Sequence, residues 1–276
     1  MLGAMTLDFD SAFTERTPRI VQSAKLLRSA GRKKANLFLA EGPNSVDAAI
    51  ATGAAREVFV TAHGAERFND LVLAAKNLGV SCSPITDRAA KSLSDTVTPP
   101  GIFAVCEPVL WPAKEVLGRS PRLVAVPVET NEPGNAGTLI RVADAVGADA
   151  VMFMGNAVDP QGPKAVRSSA GSLFHVPVAR EANIQAAFDR LQAKGLNILA
   201  TTADGEVNLD EAGDLLAQPT AWLFGNEAHG LPEDLLARAT HRVRIPIRGR
   251  AESLNLATAA SICLYESAKH LYAAGR

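Results

Sequence analysis

Three short stretches of this chain concentrate the residue types that hold and activate a polar small molecule. Residues 223–234 read LFGNEAHGLPED, residues 244–266 read RIPIRGRAESLNLATAASICLYE, and residues 129–151 read ETNEPGNAGTLIRVADAVGADAV. Each runs from a short apolar strand into a loop of Gly, Pro, Asn and Glu and then towards a helix. Such loops lie at the carboxyl edge of a sheet, where open α/β folds bind ligands in a crevice. Gly225 and Gly230 permit close backbone approach, and Asn226 and Glu227 offer an amide and a carboxylate beside them. Ser253 and Asn255 stand where a following helix begins, so free N–H groups and polar side chains converge there. In the third stretch, Asn131, Pro133, Gly134, Asn135 and Gly137 make a turn that leads into a helix carrying Arg141.

These stretches resemble the three motifs of the SpoU/TrmH family of RNA 2′-O-ribose methyltransferases, within the knotted SPOUT superfamily. The motifs are Asn-x-Gly-(x)3-Arg from Asn135, Phe-Gly-Asn-Glu-x-x-Gly-Leu from Phe224 and Ile-Pro-(x)6-Ser-Leu-Asn from Ile245. They occur in the family's order and at its spacing. The resemblance implies S-adenosylmethionine as methyl donor, bound in a bent form in a C-terminal trefoil knot. Periodicity shows no knot, and knots are rare among folds in general.

Carried over by position, the family's cofactor contacts fall on Gly225, Ile245 and Leu254, with Thr201 and Thr202 as an addition. Its catalytic group falls on Asn135, Arg141, Glu227, Ser253 and Asn255. A guanidinium with a pKa above ~12 is a poor base. Arg141 is therefore better read as a fork that grips the target phosphate and polarises the 2′-hydroxyl. Each residue also has a plain structural use. Ile245 and Leu254 suit a core, Arg141 a surface ion pair, Asn135 a cap on its own helix, Ser253 the N-cap of the closing helix, and Glu227 an ordinary loop. Only the joint spacing sets them apart.

The elements that must position these loops alternate. Residues 123–128, 150–154, 197–202 and 221–224 are near-continuous apolar strands, with helices expected at 136–146, 184–193 and 254–272. That pattern indicates a parallel sheet covered on both faces. Residues 155–172 read as a loop, and 175–178 as a short strand.

Upstream, a helix from Thr17, a basic turn at 31–34, and strands at 37–40, 57–61, 80–85 and 101–107 alternate with helices at 45–50, 65–78 and 87–93. The result is a smaller α/β sandwich. The phrase FLAEGPNSVDAAI resembles the substrate-binding domain that many SpoU enzymes carry in front, similar to small ribosomal proteins that bind kinked RNA. The Pro-rich stretch 108–121, with Trp111, marks the boundary. The expected organisation is a flexible tail over 1–14, an RNA-binding domain over 15–107, a linker over 108–121 and a methyltransferase domain over 122–276. Trp111 has two readings, stacking on a base or packing against protein.

At 47% hydrophobic and 21% charged residues, the 276-residue chain buries an ordinary core. No apolar run reaches the ~20 residues of a membrane span, and acidic residues stand near the N-terminus where a signal peptide is basic, so a cytoplasmic, non-membrane protein is expected. Cys82, Cys106 and Cys263 form no C-x-x-C pair and the five histidines show no ligand spacing, so neither a disulfide framework nor a metal is expected.

Net charge is −1, but the cations are clustered. Arg16, Arg19, Lys25, Arg28, Arg32, Lys33 and Lys34 face one acid, Glu15, and His241, Arg242, Arg244, Arg248 and Arg250 fall close together. A single cluster is often just a solvated face, whereas two around a ligand-type loop favour RNA. Arg28, Arg32, Lys33, Lys34, Glu41, Lys164 and Arg167 are the RNA-facing candidates, the last two from a stretch that resembles the family's basic segment. The family further implies a homodimer, and the front domain favours rRNA over tRNA as substrate. The competing readings are a tRNA 2′-O-methyltransferase and a non-catalytic RNA-binding or ribosome-assembly factor. A nicotinamide-linked enzyme fails for want of the glycine fingerprint.

Overall fold

The computed structural model describes residues 7–273. They divide into two compact units, one running to Val109 together with Asp159–His175, the other comprising Leu110–Val158 and the chain from Val176 onwards.

In the first unit, α1 (Pro18–Ala24) and α2 (Ser29–Ala35) precede β1 (Phe38–Glu41). Then follow α3 (Pro43–Ala51), β2 (Ala55–Val60), α4 (Ala62–Arg67), α5 (Asn69–Asn77), β3 (Ser81–Pro84), α6 (Asp87–Ser92) and β4 (Ile102–Cys106). The strands form one sheet in the order β1-β4-β2-β3, antiparallel at β4 and parallel between β2 and β3. Prolines open α1 and α3, where the missing N–H costs nothing. Thr61 and Thr86 cap α4 and α6 by accepting the N–H groups of Gly64 and Ala89. Ile20, Leu39, Phe59, Ile85, Leu93 and Phe103 pack between sheet and helices.

Two expectations change here. The basic 31–34 stretch is the body of α2 rather than a turn. The tail expected over 1–14 lies partly outside the described residues, but Phe13 is fixed. Its N–H donates to the Pro84 carbonyl and its own carbonyl accepts from Thr86, both at 2.9 Å, so the residue bridges to Ile85 at the end of β3.

The second unit begins with β5 (Leu123–Pro127), α7 (Pro133–Ala145) and β6 (Ala150–Met154). The chain then supplies α8 (Pro163–Ser169) to the first unit. This is a correction to the reading of 155–172 as a loop: the Asp159-Pro160 and Gly162-Pro163 pairs just before the helix mask it, yet Pro163 sits at its permitted first turn. The chain continues as β7 (Val178–Glu181), α9 (Ile184–Ala193), β8 (Asn197–Thr201), β9 (Val207–Asn208), α10 (Gly213–Leu216), β10 (Thr220–Phe224), α11 (Glu233–Arg238), β11 (His241–Arg244) and α12 (Leu256–Ala273).

All seven strands are parallel, in the order β7-β6-β5-β10-β8-β11-β9. β5, β6 and β10 are buried throughout, as strands covered on both faces must be. Val124, Met152, Phe188, Leu191 and Leu223 form the core on the α9 side. On the opposite face Trp222 donates its indole N–H to Ser267 of α12 at 2.8 Å. From β5 the chain moves outward to β6 and β7, and later strands build on the other side. The order therefore switches between β5 and β10, which leaves a crevice at their carboxyl ends.

Trp111, half exposed, joins the second unit through its backbone N–H, which donates to the Val178 carbonyl at 2.7 Å. Among the described residues no helix is long and apolar enough to cross a membrane.

Candidate active site

The loops after β8, β10 and β11 enclose a cavity of ≈ 700 Å³ in the second unit. That volume is within the usual range for small-molecule sites. Thr201, Thr202, Gly225, Ile245 and Leu254 line it, and so do Glu227, Ser253 and Asn255. Eight of the ten residues expected to bind cofactor or catalyse thus meet in one place.

Gly225 is a glycine by necessity. A Cβ there would stand 2.4 Å from the Gly230 carbonyl carbon and 2.6 Å from the Leu231 nitrogen, because the loop doubles back on itself. Asn226 and Gly230 exchange two backbone hydrogen bonds of 2.9 Å across that loop. The Asn226 side chain accepts from the N–H groups of Ala228 and His229 and donates to the Glu129 carbonyl at 2.6 Å. Glu129 itself has φ 49°, a left-handed conformation costly for a long side chain. Nothing in a glutamate signals that geometry in the sequence.

Asn135 lies just outside the lining and ties the three motifs together. Its Nδ2 donates to Glu227 Oε1 at 3.0 Å, and its Oδ1 accepts from Asn255 Nδ2 at 3.1 Å. Glu227 Oε2 accepts from the Asn131 N–H at 3.3 Å. Asn255 Oδ1 in turn accepts from the N–H groups of Ala257 and Thr258 and caps α12. Two structural alternatives are thereby corrected. The cap of α7 is Glu132, which accepts from the Gly134 N–H, rather than Asn135. The cap of the closing helix is Asn255 rather than Ser253, which leaves the Ser253 hydroxyl at the cavity.

Arg141 stands apart. It is exposed on α7, roughly 9 Å along the helix axis from Asn135, and is not among the lining residues. It makes no ion pair with any described residue, so the surface salt bridge considered for it is not formed.

The lining also holds carboxylates that the sequence reading did not single out: Asp204, Glu233 and Glu252, alongside Glu227. The Thr202 hydroxyl donates to Asp204 Oδ1 at 2.6 Å and is the main cause holding that carboxyl below its ordinary range. Among the described residues no group of three or more His, Cys, Asp or Glu could hold a metal ion.

The RNA-facing candidates of the first unit divide. Arg28, Lys33, Lys34 and Lys164 are exposed. Arg32 is buried and turned inward: Nε and one terminal nitrogen donate to Asp159 at 2.9 and 2.7 Å, the other to the carbonyls of Leu26 and Leu27. Glu41 is buried too, and accepts from Ser94 at 2.6 Å, Thr96 at 3.3 Å and Arg167 at 2.9 Å. Arg167 also pairs with Asp95 at 2.5 Å. For Arg32 and Glu41 the expected RNA contact gives way to a structural role, because their polar atoms are already engaged inside the unit.

Fold and cavity together define an α/β domain with a cavity of small-molecule size at the switch point of a parallel sheet. Residues 122–265 match the SpoU rRNA methylase family and residues 17–104 an MRM3-like substrate-binding domain. The chain belongs to the SpoU rRNA methylase family. It is 32% identical to the 23S rRNA guanosine 2′-O-methyltransferase RlmP of Bacillus subtilis, over 87% of this chain and 92% of that protein. Among solved structures it is similar to the AdoMet-bound rRNA methyltransferase from Sinorhizobium meliloti, at a TM-score of 0.81 and 28% identity, covering 92% of this chain and 95% of that one. It is similar as well to the SpoU methyltransferase AviRb from Streptomyces viridochromogenes in complex with AdoMet. There the TM-score is 0.82 at 28% identity, over 93% of this chain and all of that one.

Proposed function

We propose that this protein is an S-adenosylmethionine-dependent RNA methyltransferase that methylates a ribose 2′-hydroxyl in large-subunit rRNA, acting as a cytoplasmic homodimer. The observation that carries the reading is the hydrogen-bonded line Asn255–Asn135–Glu227, drawn from three distant motifs, at the edge of the cavity that Thr201, Gly225, Ile245 and Leu254 line. The names of the relatives, an rRNA 2′-O-methyltransferase and AdoMet-bound structures, support the substrate class and the cofactor.

The cavity fits the cofactor. Gly225 lets the lining loop double back on itself where a side chain would not fit, and the lining offers aliphatic walls from Ile245 and Leu254 together with polar groups. When bound, S-adenosylmethionine supplies an electrophilic methyl group. Both Glu227 oxygens accept hydrogen bonds from fixed donors, Asn135 and the Asn131 N–H, so the carboxylate orients the site. Ser253, free of the capping role, contacts the acceptor ribose. Arg141, exposed and without an ionic partner among the described residues, grips the target phosphate and polarises the hydroxyl, with the proton lost late to water.

The second copy of the chain meets the outer face of α12, where Tyr265 and Tyr272 lie seven residues apart and 63% and 56% exposed. The trefoil knot belongs to the same proposal, and the return of α12 from β11 to pack on α7, β10 and β5 supports it. Mapping 2′-O-methyl marks on rRNA from cells with and without the protein tests the function; a mark that vanishes with the protein is expected, and identical maps overturn it. Arg141→Ala should abolish methyl transfer while cofactor affinity stays within a few-fold, and near-normal turnover removes the catalytic assignment.

A further inference from the structure

Four arginines fall within residues 241–250, and the structure disposes of them unequally. Arg242 Nε pairs with Glu206 at 2.9 Å, and its backbone N–H also donates to that carboxylate. Arg244 donates to the Gly205 carbonyl at 2.7 Å. Arg248 pairs with Asp210 at 2.7 Å. These guanidiniums are all drawn to residues 205–210. Arg250 is exposed and makes no hydrogen bond or ion pair with any described residue.

Its position gives that freedom a consequence. The loop from Ile245 to Asn255 carries Glu252, Ser253, Leu254 and Asn255 into the lining of the cavity, and Arg250 stands two residues before the first of them. Among the described residues the lining holds Asp204, Glu227, Glu233 and Glu252 and no lysine or arginine. A polyanion brought to such a rim meets net repulsion unless a cation stands there. An arginine fork with no internal partner loses no existing bond when it takes a phosphate, and offers two parallel N–H donors to it.

We infer that Arg250 is a substrate-positioning residue that binds a backbone phosphate of the RNA next to the ribose being methylated. This rests on the reading of the protein as an RNA 2′-O-methyltransferase. Arg248, on the same loop but held by Asp210, is the internal comparison: its charge is already offset, so it contributes less to RNA.

The test uses full-length protein, unmodified 23S rRNA transcript and the variants Arg250→Ala, Arg250→Glu, Arg250→Lys and Arg248→Ala, with methyl incorporation and direct RNA binding both measured. Arg250→Ala is expected to raise KM for RNA about tenfold, leave kcat and S-adenosylmethionine affinity within about twofold, and flatten the plot of log affinity against log salt by about one unit. Arg250→Lys should recover much of the loss, Arg250→Glu should exceed it, and Arg248→Ala should fall well short of it. Since Arg250 makes no hydrogen bond or ion pair with any described residue, the melting temperature should not move. An Arg250→Ala protein whose KM, RNA affinity and salt slope all match wild type overturns the inference. Should the wild-type protein transfer no methyl group to the transcript, the proposed function fails instead, and the binding measurements still decide the role of Arg250.

Discussion

Asn135 and Glu227, ninety-two positions apart, are joined by a 3.0 Å hydrogen bond from amide to carboxylate. The other face of the same amide accepts from Asn255, which caps α12. One side chain therefore sets the spacing of the loops after β5, β10 and β11. The amide carries its donor and its acceptor on separate atoms, so it donates to Glu227 and accepts from Asn255 at once. Asn135→Ala should lower kcat about a hundredfold with little change in cofactor affinity, the pattern of lost positioning. Asn135→Asp should be at least as damaging at neutral pH, because it sets two carboxylates against each other. A kinetic comparison in which Asp works as well as Asn would show that the donor to Glu227 is unimportant.

The meeting of these loops is legible because their joint order and spacing resemble the three SpoU/TrmH motifs, whereas each glycine, proline or asparagine taken alone reads as an ordinary turn residue. The sequence does not reveal which asparagine caps which helix. Asn135 and Ser253 both have capping chemistry, and the choice of Glu132 and Asn255 depends on where the helices begin, a one- or two-residue matter. Charge was the other blind spot. Arg32 sits among six exposed or surface-type cations in sequence, yet Asp159, 127 positions away, draws it inside. Composition reports a basic cluster without saying which member has a distant acid as partner. The helix Pro163–Ser169 is hidden by the turn-forming Asp159-Pro160 and Gly162-Pro163 pairs at its N-terminal end.

The bond from Trp222 to Ser267 fastens the closing helix to the middle of the sheet. Both residues are fully buried, so the indole N–H has no water to fall back on. Ser267→Ala should destabilise the protein by about 1–3 kcal/mol, the cost of an unmet buried donor. Urea titration followed by tryptophan fluorescence is the direct measurement, and a midpoint equal to wild type would mean that the donor finds another acceptor.

Glu41 neutralises Arg167 from inside the first unit while it holds the hydroxyls of Ser94 and Thr96. Glu41→Ala removes the acceptor for all three and leaves Arg167 with the half-exposed Asp95 alone. A loss of about 3 kcal/mol is expected, at the low end for breaking a buried pair. Glu41→Gln should be milder, since the amide oxygen still accepts from the hydroxyls. Equal stability of the Ala and Gln variants in a denaturant series would contradict that ranking.

Near the cavity, Asp204 and Glu206 are both held below the ordinary carboxylate range, Asp204 chiefly by the Thr202 hydroxyl and Glu206 chiefly by the Arg242 backbone N–H. A carboxylate depressed on folding adds stability that is present above its unfolded pKa of about 4 and disappears as pH falls through the lower folded value. The turn between β8 and β9 should therefore keep its hydrogen bonds to a pH below the normal titration of an aspartate. Carboxyl-carbon NMR should find both midpoints lowered, and Thr202→Val should move that of Asp204 back up while leaving Glu206 nearly in place. If Asp204 titrates normally in the wild-type protein, the Thr202 bond is not held in solution.

Gly225 offers the sharpest separation between fold and cofactor site. Its missing Cβ would fall 2.4 to 2.7 Å from backbone atoms of Gly230 and Leu231, and backbone cannot swing aside as the end of a side chain can. Gly225→Ala must therefore push the two limbs of the loop apart, and with them Glu227, whose link to Asn135 depends on that limb. β10 itself ends at Phe224 and is held on both sides by β5 and β8, so the sheet should survive. The expected result is cofactor affinity weakened at least about tenfold, a fall in kcat and a far-ultraviolet spectrum close to wild type. Calorimetry that finds unaltered S-adenosylmethionine affinity in a folded Gly225→Ala protein would place the cofactor elsewhere than in this loop.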